Sequence, residues 1–570
     1  MSLHSFFDHF DLLAEAPGGV KKLRELILQL AVQGKLVPQD PSDEPASALL
    51  ERIKLNKGSD KYQKKMNISD IQEDSQSPFN LPINWSWVRA NGFLEVIRGV
   101  TYNKQDAIQE NRSGYLPLLR ANNIDVELNF SNLVYVPENL VSQKQFIYSG
   151  DILIAMSSGS KKLVGKAAQA KSDFQGGFGA FCGLIRINPI VNKQYIAVFF
   201  HSPLYRTAIS AVSKGIGINN LQKGNIENLL IPLPPLAEQR RIVAKVDALM
   251  GLCDELEARQ ERRRAGRVQL SATALDRLLA ARDPEELAAS WLLVADSFDL
   301  LYDTPETIGR LRQAILQLAV QGRLVSQDPA DEPASVLLER IRAEKERSKG
   351  TSSTQHLNLL QNSQKNLVDN LLPEGWIVVE LTEISDVGTG STPLKTQLEF
   401  YEEGTIPWVT SAATSKDVIT QAETLITPKA VKDCRLKLYP SGTLIIAMYG
   451  QGKTRGQIAE LGIPATINQA CAAISLYYDS NDMRPYIRMV IEKKYDEIRS
   501  MAAGAAQPNL NVGKIKETLI PLPPLAEQRR IVAKVDALMG LCDELEARLR
   551  QAHADGARLL GALAGAVAGG

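Results

Sequence analysis

A segment of thirty residues occurs twice in this chain of 570 residues without one difference. The copies are Leu230–Arg259 and Leu519–Arg548, and both have the sequence LIPLPPLAEQRRIVAKVDALMGLCDELEAR. A second pair of copies lies nearby, because 25 of the 31 residues of Leu23–Ile53 recur in Leu311–Ile341. The chain is therefore a scaffold sequence that occurs twice and alternates with two inserts.

The two inserts, which we call heads, span roughly 80–229 and 372–518 and share only a few motifs. Each head begins with Pro-x-x-Trp and has an Asn-Leu pair shortly before the scaffold sequence resumes. Each also contains Ser-Gly followed by an apolar run, which predicts a buried strand after a tight turn. These motifs are Pro82 and Trp85, Pro373 and Trp376, Ser149–Met156, Ser441–Met448, Asn220 and Leu221, and Asn509 and Leu510. A recent duplication alone would leave the heads as similar as the scaffold. We infer that the scaffold is held to one geometry or one partner, whereas the heads are free to differ.

The exact repeat predicts a long helix that begins near Pro235 and ends near Ala281, and a matching helix that begins near Pro524. Apolar residues recur along it in steps of four and three, which is the spacing of a coiled-coil seam. The seams are Ile242, Val246, Leu249, Cys253 and Leu256 in the first copy, and Ile531, Val535, Leu538, Cys542 and Leu545 in the second. We expect the two helices to pack antiparallel on each other through these seams, which gives a pseudo-twofold molecule.

The other scaffold segment, Leu23–Ile53, predicts a helix, a break at Gly34, and a second helix that Asp43 caps. Polar linkers follow both copies of this segment and lead into the heads. The predicted fold is α+β, with two mixed α/β heads separated by the two long helices. The predicted segments are an N-terminal scaffold and linker (1–79), the first head (80–229), a central scaffold (230–371), the second head (372–518) and a C-terminal scaffold helix (519–570).

Composition excludes several classes of protein. Lys+Arg and Asp+Glu are both 65, so the whole chain has no basic excess, although residues 80–230 carry 15 basic against 9 acidic side chains. In residues 372–519 the numbers are 15 and 17. The N-terminus does not have the pattern of a signal peptide, and no apolar run is long enough to span a bilayer. The five cysteines include no Cys-x-x-Cys pair, and no metal-ligand spacing is present, so we expect a cytoplasmic protein with reduced thiols and no metal.

Two kinds of motif would indicate an enzyme, a phosphate-binding loop and a methyltransferase motif. The segment Ala447–Thr454, AMYGQGKT, matches a relaxed phosphate-binding loop, but the following residues include Gly456 and Pro464 and lack a helical pattern. The equivalent segment of the first head lacks the motif. We therefore favour a loop that faces DNA over an ATP site, which remains the alternative from another functional class. A methyltransferase motif of the type [DNS]PP[YF] is absent from the sequence, so catalysis is expected to come from partners.

Taken together, the motifs make the chain similar to the specificity subunits of type I restriction–modification systems. The similarity rests on two different inserts, each followed by LPPLAEQRRIV and a long helix, and on LRxxILQLAVQGKLV in the scaffold. It implies that each head is a target-recognition domain for one half of a bipartite site in double-stranded DNA. It further implies that the scaffold docks two methyltransferase subunits, and that endonuclease/translocase subunits join them. The chain itself would be non-catalytic and hold no cofactor, while S-adenosylmethionine, ATP and Mg would belong to the partner subunits.

A related restriction system, with a fused methyltransferase–nuclease partner, is the alternative within this class. In either system, direct readout of DNA needs only a few polar side chains at the groove edges. We predict such contacts for polar residues near strand ends and glycine turns. They are Arg120, Asn122, Asn123, Lys161, Lys162 and Lys166 in the first head, and Thr410, Ser411, Lys453, Arg455 and Gln469 in the second.

The identity of the repeat extends to residues that the seam predicts to face outward. Helix packing tolerates change at such positions, and volume-conserving exchange even within the seam costs less than about 1.5 kcal/mol. We therefore predict that the outward residues of both copies bind the same methyltransferase subunit. They are Glu238, Gln239, Arg240, Arg241, Lys245 and Asp247, with their copies Glu527, Gln528, Arg529, Arg530, Lys534 and Asp536.

Overall fold

The computed structural model describes residues 14–56, 78–158, 163–212, 219–349, 372–449, 456–501 and 510–569. The chain divides into two units, each with one head and part of the scaffold. The first unit contains residues 1–263 and 552–570, and the second contains residues 264–551. Within the described residues, no helix has both the length and the apolar character needed to cross a membrane. The five predicted segments are a finer division, which stays a prediction.

The helices of the described residues divide between the scaffold and the heads, and the longest belong to the scaffold. In chain order they are α1 (Gly19–Val32), α2 (Ala46–Asn56), α3 (Lys193–His201), α4 (Pro203–Val212), α5 (Lys223–Glu227), α6 (Leu236–Ala280), α7 (Pro284–Asp296), α8 (Phe298–Leu301), α9 (Pro305–Val320), α10 (Ala334–Lys349), α11 (Leu381–Ile384), α12 (Pro428–Asp433), α13 (Met483–Met501), α14 (Val512–Lys516) and α15 (Leu525–Gly569). The two long helices, α6 and α15, have 45 residues each, which confirms the prediction from the repeat. Helix α6 begins in the first unit and ends in the second, whereas α15 begins in the second and ends in the first.

The strands of the first head form two main sheets. They are β1 (Ser86–Arg89), β2 (Leu94–Arg98), β3 (Tyr115–Leu119), β4 (Val134–Pro137), β5 (Ile152–Ala155), β6 (Ser157–Ser158), β7 (Ala167–Gln169), β8 (Gly177–Phe178), β9 (Cys182–Ile187), β10 (Asn219–Asn220) and β11 (Leu230–Leu233). The larger sheet has the order β2-β9-β5-β7, and the smaller has the order β4-β3-β8. Strands β1 and β11 pair antiparallel, where the head joins the scaffold.

The second head repeats this sheet order with a different sequence and adds one strand, β15 (Val418–Ile419), to the larger sheet. Its strands are β12 (Ile377–Glu380), β13 (Ser385–Thr389), β14 (Ile406–Val409), β15 (Val418–Ile419), β16 (Thr424–Ile426), β17 (Leu444–Ala447), β18 (Ile458–Leu461), β19 (Thr466–Ile467), β20 (Cys471–Leu476) and β21 (Leu519–Leu522). The larger sheet is β13-β20-β17-β18-β15, the smaller is β16-β14-β19, and β12 pairs with β21. Both heads are therefore of mixed α/β type, as predicted.

The shared Ser-Gly motif lies directly before a central strand in both heads. Gly150 and Gly442 adopt positive φ angles of 86° and 90°, and the strands that follow, β5 and β17, are buried along their whole length. Alternate residues of β5 contribute to different apolar clusters, because both faces of the larger sheet are covered. A strand buried on both faces has a continuous apolar sequence, which explains the motif.

The seam of each long helix packs against the other repeated segment of the scaffold. Ile242, Val246 and Cys253 share the core of the first unit with Leu23 and Ile27 of α1. In the second unit, Ile531, Val535 and Cys542 share the core with Leu311 and Ile315 of α9. Each seam is therefore covered within its own unit by the other repeated segment, and the antiparallel packing of the two seams on each other stays a prediction. Steps of four and three identify an apolar stripe, but they do not identify the helix that covers it.

Ion pairs at the border of this packing are the same in both units. Arg24 of α1 binds Asp254 and Glu257 of α6 at 2.5 and 2.8 Å. Arg312 of α9 binds Asp543 and Glu546 of α15 at 2.8 and 3.0 Å. The duplicated helices therefore form two equivalent helix pairs, one in each unit.

Candidate nucleic-acid interface

Several strand ends of the first head meet at one edge of its smaller sheet. Strands β3 and β8 are parallel, so their carboxyl ends lie at the same edge, and the Gly179 N–H donates to the Leu119 carbonyl at 2.9 Å. The segment after β2 arrives there too, since the Val100 N–H donates to the Phe178 carbonyl at 2.7 Å. We call residues 100–102, 120–123 and 179–181 the strand-end edge of the first head.

The second head forms the equivalent edge from different residues. Strands β14 and β19 are parallel, and the Asn468 N–H donates to the Val409 carbonyl at 3.0 Å. The segment after β13 lies beside them, because the Thr392 hydroxyl is hydrogen-bonded to the side chain of Gln469. The strand-end edge of the second head is therefore residues 390–393, 410–411 and 468–470.

Two of the residues predicted to contact DNA in the first head are used within the protein. Asn123 is only 2% exposed, and its amide donates to the carbonyls of Asn129 and Ser131 at 2.9 Å. Its side chain shapes the loop, and the predicted base contact stays a prediction without support from this geometry. Lys166 pairs with Asp125 at 2.7 Å.

Arg120 and Asn122 remain at the strand-end edge of the first head. Arg120 donates to the Asn132 carbonyl at 2.9 Å, while its Nε atom is buried without a partner among the described residues. Asn122 is exposed. Lys161 and Lys162 lie outside the described residues. The predicted set therefore contributes one guanidinium and one amide to this edge.

Three of the residues predicted in the second head come together at its edge. Thr410 and Ser411 lie where β14 passes into a 3-10 turn, Ser411–Ser415, and both are half-buried. Gln469 is exposed. Lys453 and Arg455 are outside the described residues, as is most of the segment that resembles a phosphate-binding loop. Sequence reasoning missed Thr392, because the contact that places it at the edge joins residues 77 positions apart.

The Pro-x-x-Trp motif attaches the first head to the start of α6. The Trp85 indole N–H donates to one carboxylate oxygen of Glu238 at 2.9 Å, and the Gln39 amide donates to the other at 2.6 Å. Pro82 packs directly on Gly34, where a Cβ atom would lie 2.5 Å from the Pro82 Cγ atom. Gly34 has a φ angle of 70°, so both its conformation and its lack of a side chain are required. We call these five residues the first joint.

The second joint repeats these contacts. Trp376 and Gln327 donate to Glu527 at 2.9 and 3.0 Å, and Pro373 packs on Gly322. Burial raises the pKa of Glu527, as it raises that of Glu238, and the hydrogen bonds from the tryptophan and the glutamine offset part of this effect. The same buried carboxylate therefore fixes each head to its own part of the scaffold.

Four of the twelve residues predicted to face outward for partner binding are buried in the protein. Glu238 and Gln239 are buried, and Gln239 donates to the Pro234 carbonyl and accepts the Asn192 N–H. Arg241 binds both carboxylate oxygens of Asp43 at 3.2 and 2.5 Å. The second copy is alike, since Glu527 and Gln528 are buried and Arg530 binds Asp331. The outward orientation is therefore wrong for the two glutamates and the two glutamines, because a helix flanked by both a head and α1–α2 has little free surface in its first turns. Arg241 and Arg530 are half-buried, with 37% and 35% of their side chains exposed, and partner binding by them stays a prediction.

The other six residues of that set are exposed: Arg240, Lys245, Asp247, Arg529, Lys534 and Asp536. The two copies differ at Arg240 and Arg529. Arg529 binds Asp482 of the second head at 2.8 and 2.6 Å, whereas Arg240 makes no ion pair with any described residue. No group of histidine, cysteine or acidic residues in the described part of the chain could hold a metal ion.

Comparison with known proteins gives a consistent result over most of the chain. The model of the type I restriction modification DNA specificity domain matches residues 82–263 and 373–552. The specificity subunit of the type I restriction enzyme EcoAI from Escherichia coli is 30% identical over 547 residues, which cover 93% of this chain and 90% of that protein. The EcoEI specificity subunit from the same species is 30% identical over 553 residues, which cover 94% of this chain and 91% of that protein. The crystal structure of the HsdS subunit from Thermoanaerobacter tengcongensis is 21% identical, with a TM-score of 0.41, and the match covers 87% of this chain and all of that one.

Proposed function

Because the chain belongs to the family of type I restriction–modification specificity subunits, we propose that it recognises a bipartite site in double-stranded DNA, with one head on each half-site. The observation that carries this proposal is the pair of strand-end edges. They lie at equivalent places of one topology, yet the first presents Arg120 and Asn122, and the second presents Thr410, Ser411 and Gln469. Two domains that recognise different half-sites need the same fold with different side chains at the surface that contacts DNA.

The side chains at these edges suit direct contact with bases. Arginine pairs with guanine, and asparagine and glutamine pair with adenine. Serine and threonine can donate to or accept from base edges of either kind. The basic excess of the first head favours additional contacts to phosphates. We propose that the basic side chains contact phosphates and so position the head on the duplex, whereas the amide, hydroxyl and guanidinium groups of the edge discriminate between bases.

We further propose that the duplicated scaffold docks two methyltransferase subunits, to which endonuclease/translocase subunits are added. Equivalent partner subunits require equivalent surfaces, and the two helix pairs supply them. The residues assigned to this contact are the exposed half of the predicted set, namely Arg240, Lys245 and Asp247 with their copies. In this assembly S-adenosylmethionine, ATP and Mg are bound by the partners, and this chain supplies recognition without catalysis.

The recognition proposal is tested by mapping N6-methyladenine in the DNA of cells that carry the system. The wild type should give one bipartite sequence. Replacement of residues 80–229 by the first head of another family member should change one half of that sequence and leave the other half intact. A change in both halves would show that the heads do not recognise DNA independently.

The docking proposal is tested by charge reversal in one copy. Arg240→Glu should release one methyltransferase subunit in native mass spectrometry, while the second stays bound. Arg259→Glu is the matched control, since Arg259 is an exposed arginine of the same helix outside the predicted set. Arg241 is unsuitable for this experiment, because its loss would disturb the contact with Asp43 inside the protein. Retention of both subunits by the Arg240→Glu protein would show that this surface is not the docking site.

A further inference from the structure

A large aromatic side chain stands exposed at the strand-end edge of the first head. Phe181 is 69% exposed, although the strand that follows it is buried from its first residue. It lies two residues after Gly179, whose own Cβ position would be 3.8 Å from the Tyr102 ring and 3.9 Å from the Arg120 side chain. Its backbone is fixed, because the Phe181 carbonyl accepts the N–H groups of Met156 and Ser157 at 2.8 and 3.1 Å. Phe181 therefore projects from a rigid part of the edge, beside the arginine assigned to DNA.

The second head also exposes an aromatic ring at its edge. Tyr449 is 46% exposed and follows the buried residue Met448, whose N–H donates to the Ala470 carbonyl at 2.8 Å. Ala470 is the neighbour of Gln469, which belongs to the same edge. Tyr449 thus stands beside the polar side chains assigned to the second half-site.

The two aromatic residues occupy different positions of the shared framework. Cys182 pairs with Ala155 in the first head as Cys471 pairs with Ala447 in the second. By this register, the counterpart of Phe181 is Ala470, and the counterpart of Tyr449 is Ser157. Each ring therefore belongs to the variable surface of its own head and not to the fold that both heads need.

We infer that Phe181 and Tyr449 are the residues that each head inserts against a base step of its own half-site. The inference rests on the proposed function. An exposed apolar ring gains by leaving water, and the flat faces of bases can receive it once a step is opened. The polar neighbours of each ring can hold the flanking base edges while the ring separates the stack. Opening the stack near the target also lowers the cost of extruding a base for methylation.

The experiment uses the full chain in complex with its methyltransferase subunits, and a duplex that carries the mapped site with 2-aminopurine at successive positions. Wild-type complex should raise the 2-aminopurine fluorescence at one step of each half-site. Phe181→Ala should abolish the increase in the first half-site only, and Tyr449→Ala in the second only. Loss of base–aromatic stacking should weaken binding roughly 5- to 150-fold. The dependence of affinity on salt should stay unchanged, because no phosphate contact is removed.

Matched controls come from exposed leucines at the opposite end of each smaller sheet. Leu140 follows β4 where its chain meets the start of β3. Leu398 begins a 3-10 turn whose Phe400 carbonyl accepts the Thr427 N–H, next to the end of β16 that pairs with the start of β14. Leu140→Ala and Leu398→Ala should bind DNA as the wild type does, and Phe181→Leu should keep part of the fluorescence change. Unchanged affinity and fluorescence in Phe181→Ala and Tyr449→Ala would overturn the inference and leave the proposed function intact. Loss of a methyltransferase subunit from these variants would instead assign the rings to a protein contact. Wild-type complex that protects no bipartite site would refute the proposed function itself.

Discussion

Gly34→Ala should destabilise the first joint far more than its small size suggests. The φ angle of 70° costs an alanine about 1 kcal/mol, since L-residues avoid the left-handed region. The new Cβ atom would also lie 2.5 Å from the Pro82 Cγ and 3.1 Å from the Trp85 ring, so the proline and the tryptophan must move. Overpacking of this kind costs about 1–3 kcal/mol. The expected loss is therefore about 2–4 kcal/mol.

Gly18→Ala isolates the backbone part of this cost. Gly18 has nearly the same φ angle, 71°, but no atom lies within 4 Å of its Cβ position. This control should lose about 1 kcal/mol or less, because alanine also restricts the unfolded chain. Differential scanning calorimetry of the full chain should thus show the melting temperature of the first unit lower in Gly34→Ala than in Gly18→Ala by about 2 °C or more.

A double-mutant cycle identifies the contact responsible. Pro82→Ala in the Gly34→Ala protein removes the Cγ atom that the new methyl group meets, so part of the lost stability should return. Gly322→Ala should show the same behaviour in the second unit, where Pro373 takes the place of Pro82. Equal stability of Gly34→Ala and Gly18→Ala would refute the close packing of the joint.

Two further predictions concern charged groups of the first scaffold copy. Arg241→Gln removes the cation from the carboxylate of Asp43, whose side chain is 8% exposed. The free energy of unfolding should therefore fall by about 2 kcal/mol, which lies between the values for surface and buried ion pairs. In the same urea titration, the control Arg240→Gln should change the free energy of unfolding by less than about 0.5 kcal/mol. The folded-state pKa of Glu238 is raised by burial, so its contribution to stability is fully present below its unfolded pKa and is lost as the pH rises through the folded value. Glu238→Gln should therefore lose less stability between pH 4.5 and pH 8 than the wild type, and parallel pH profiles of the two proteins would contradict this assignment.

The sequence was informative where a pattern depends on neighbouring residues. The duplicated apolar stripe predicts the 45-residue helices, and Ser-Gly before an apolar run predicts β5 and β17, because helix and strand periodicity are local properties. The similarity of the two heads was visible only in those few motifs. Their common sheet order emerged in the structure, because pairs such as β3 with β8 join segments about sixty residues apart.

The sequence misled where burial depends on distant partners. Charged and polar residues at the start of a helix are usually exposed, and this general tendency placed Glu238 and Arg241 on the outside. Glu238 is buried because Trp85, 153 residues earlier, donates to it, and Arg241 turns to Asp43 across 198 residues. The burial of Asn123 was missed for a related reason, since its amide closes its own loop.

The joints change the explanation of the exact repeat. The partners of Glu238 and Arg241 at the start of α6 are themselves duplicated, so Trp85, Gln39 and Asp43 correspond to Trp376, Gln327 and Asp331. A substitution in one copy would leave a buried group without its partner, and this cost acts on both copies separately. Pro-x-x-Trp is then shared by otherwise different heads because it is the part of the head that touches the joint. Internal contacts do not account for Arg240, whose copy Arg529 has an ion pair that Arg240 lacks among the described residues. If a common methyltransferase surface also constrains the repeat, Arg240 is the position at which its effect can be measured without disturbing the fold.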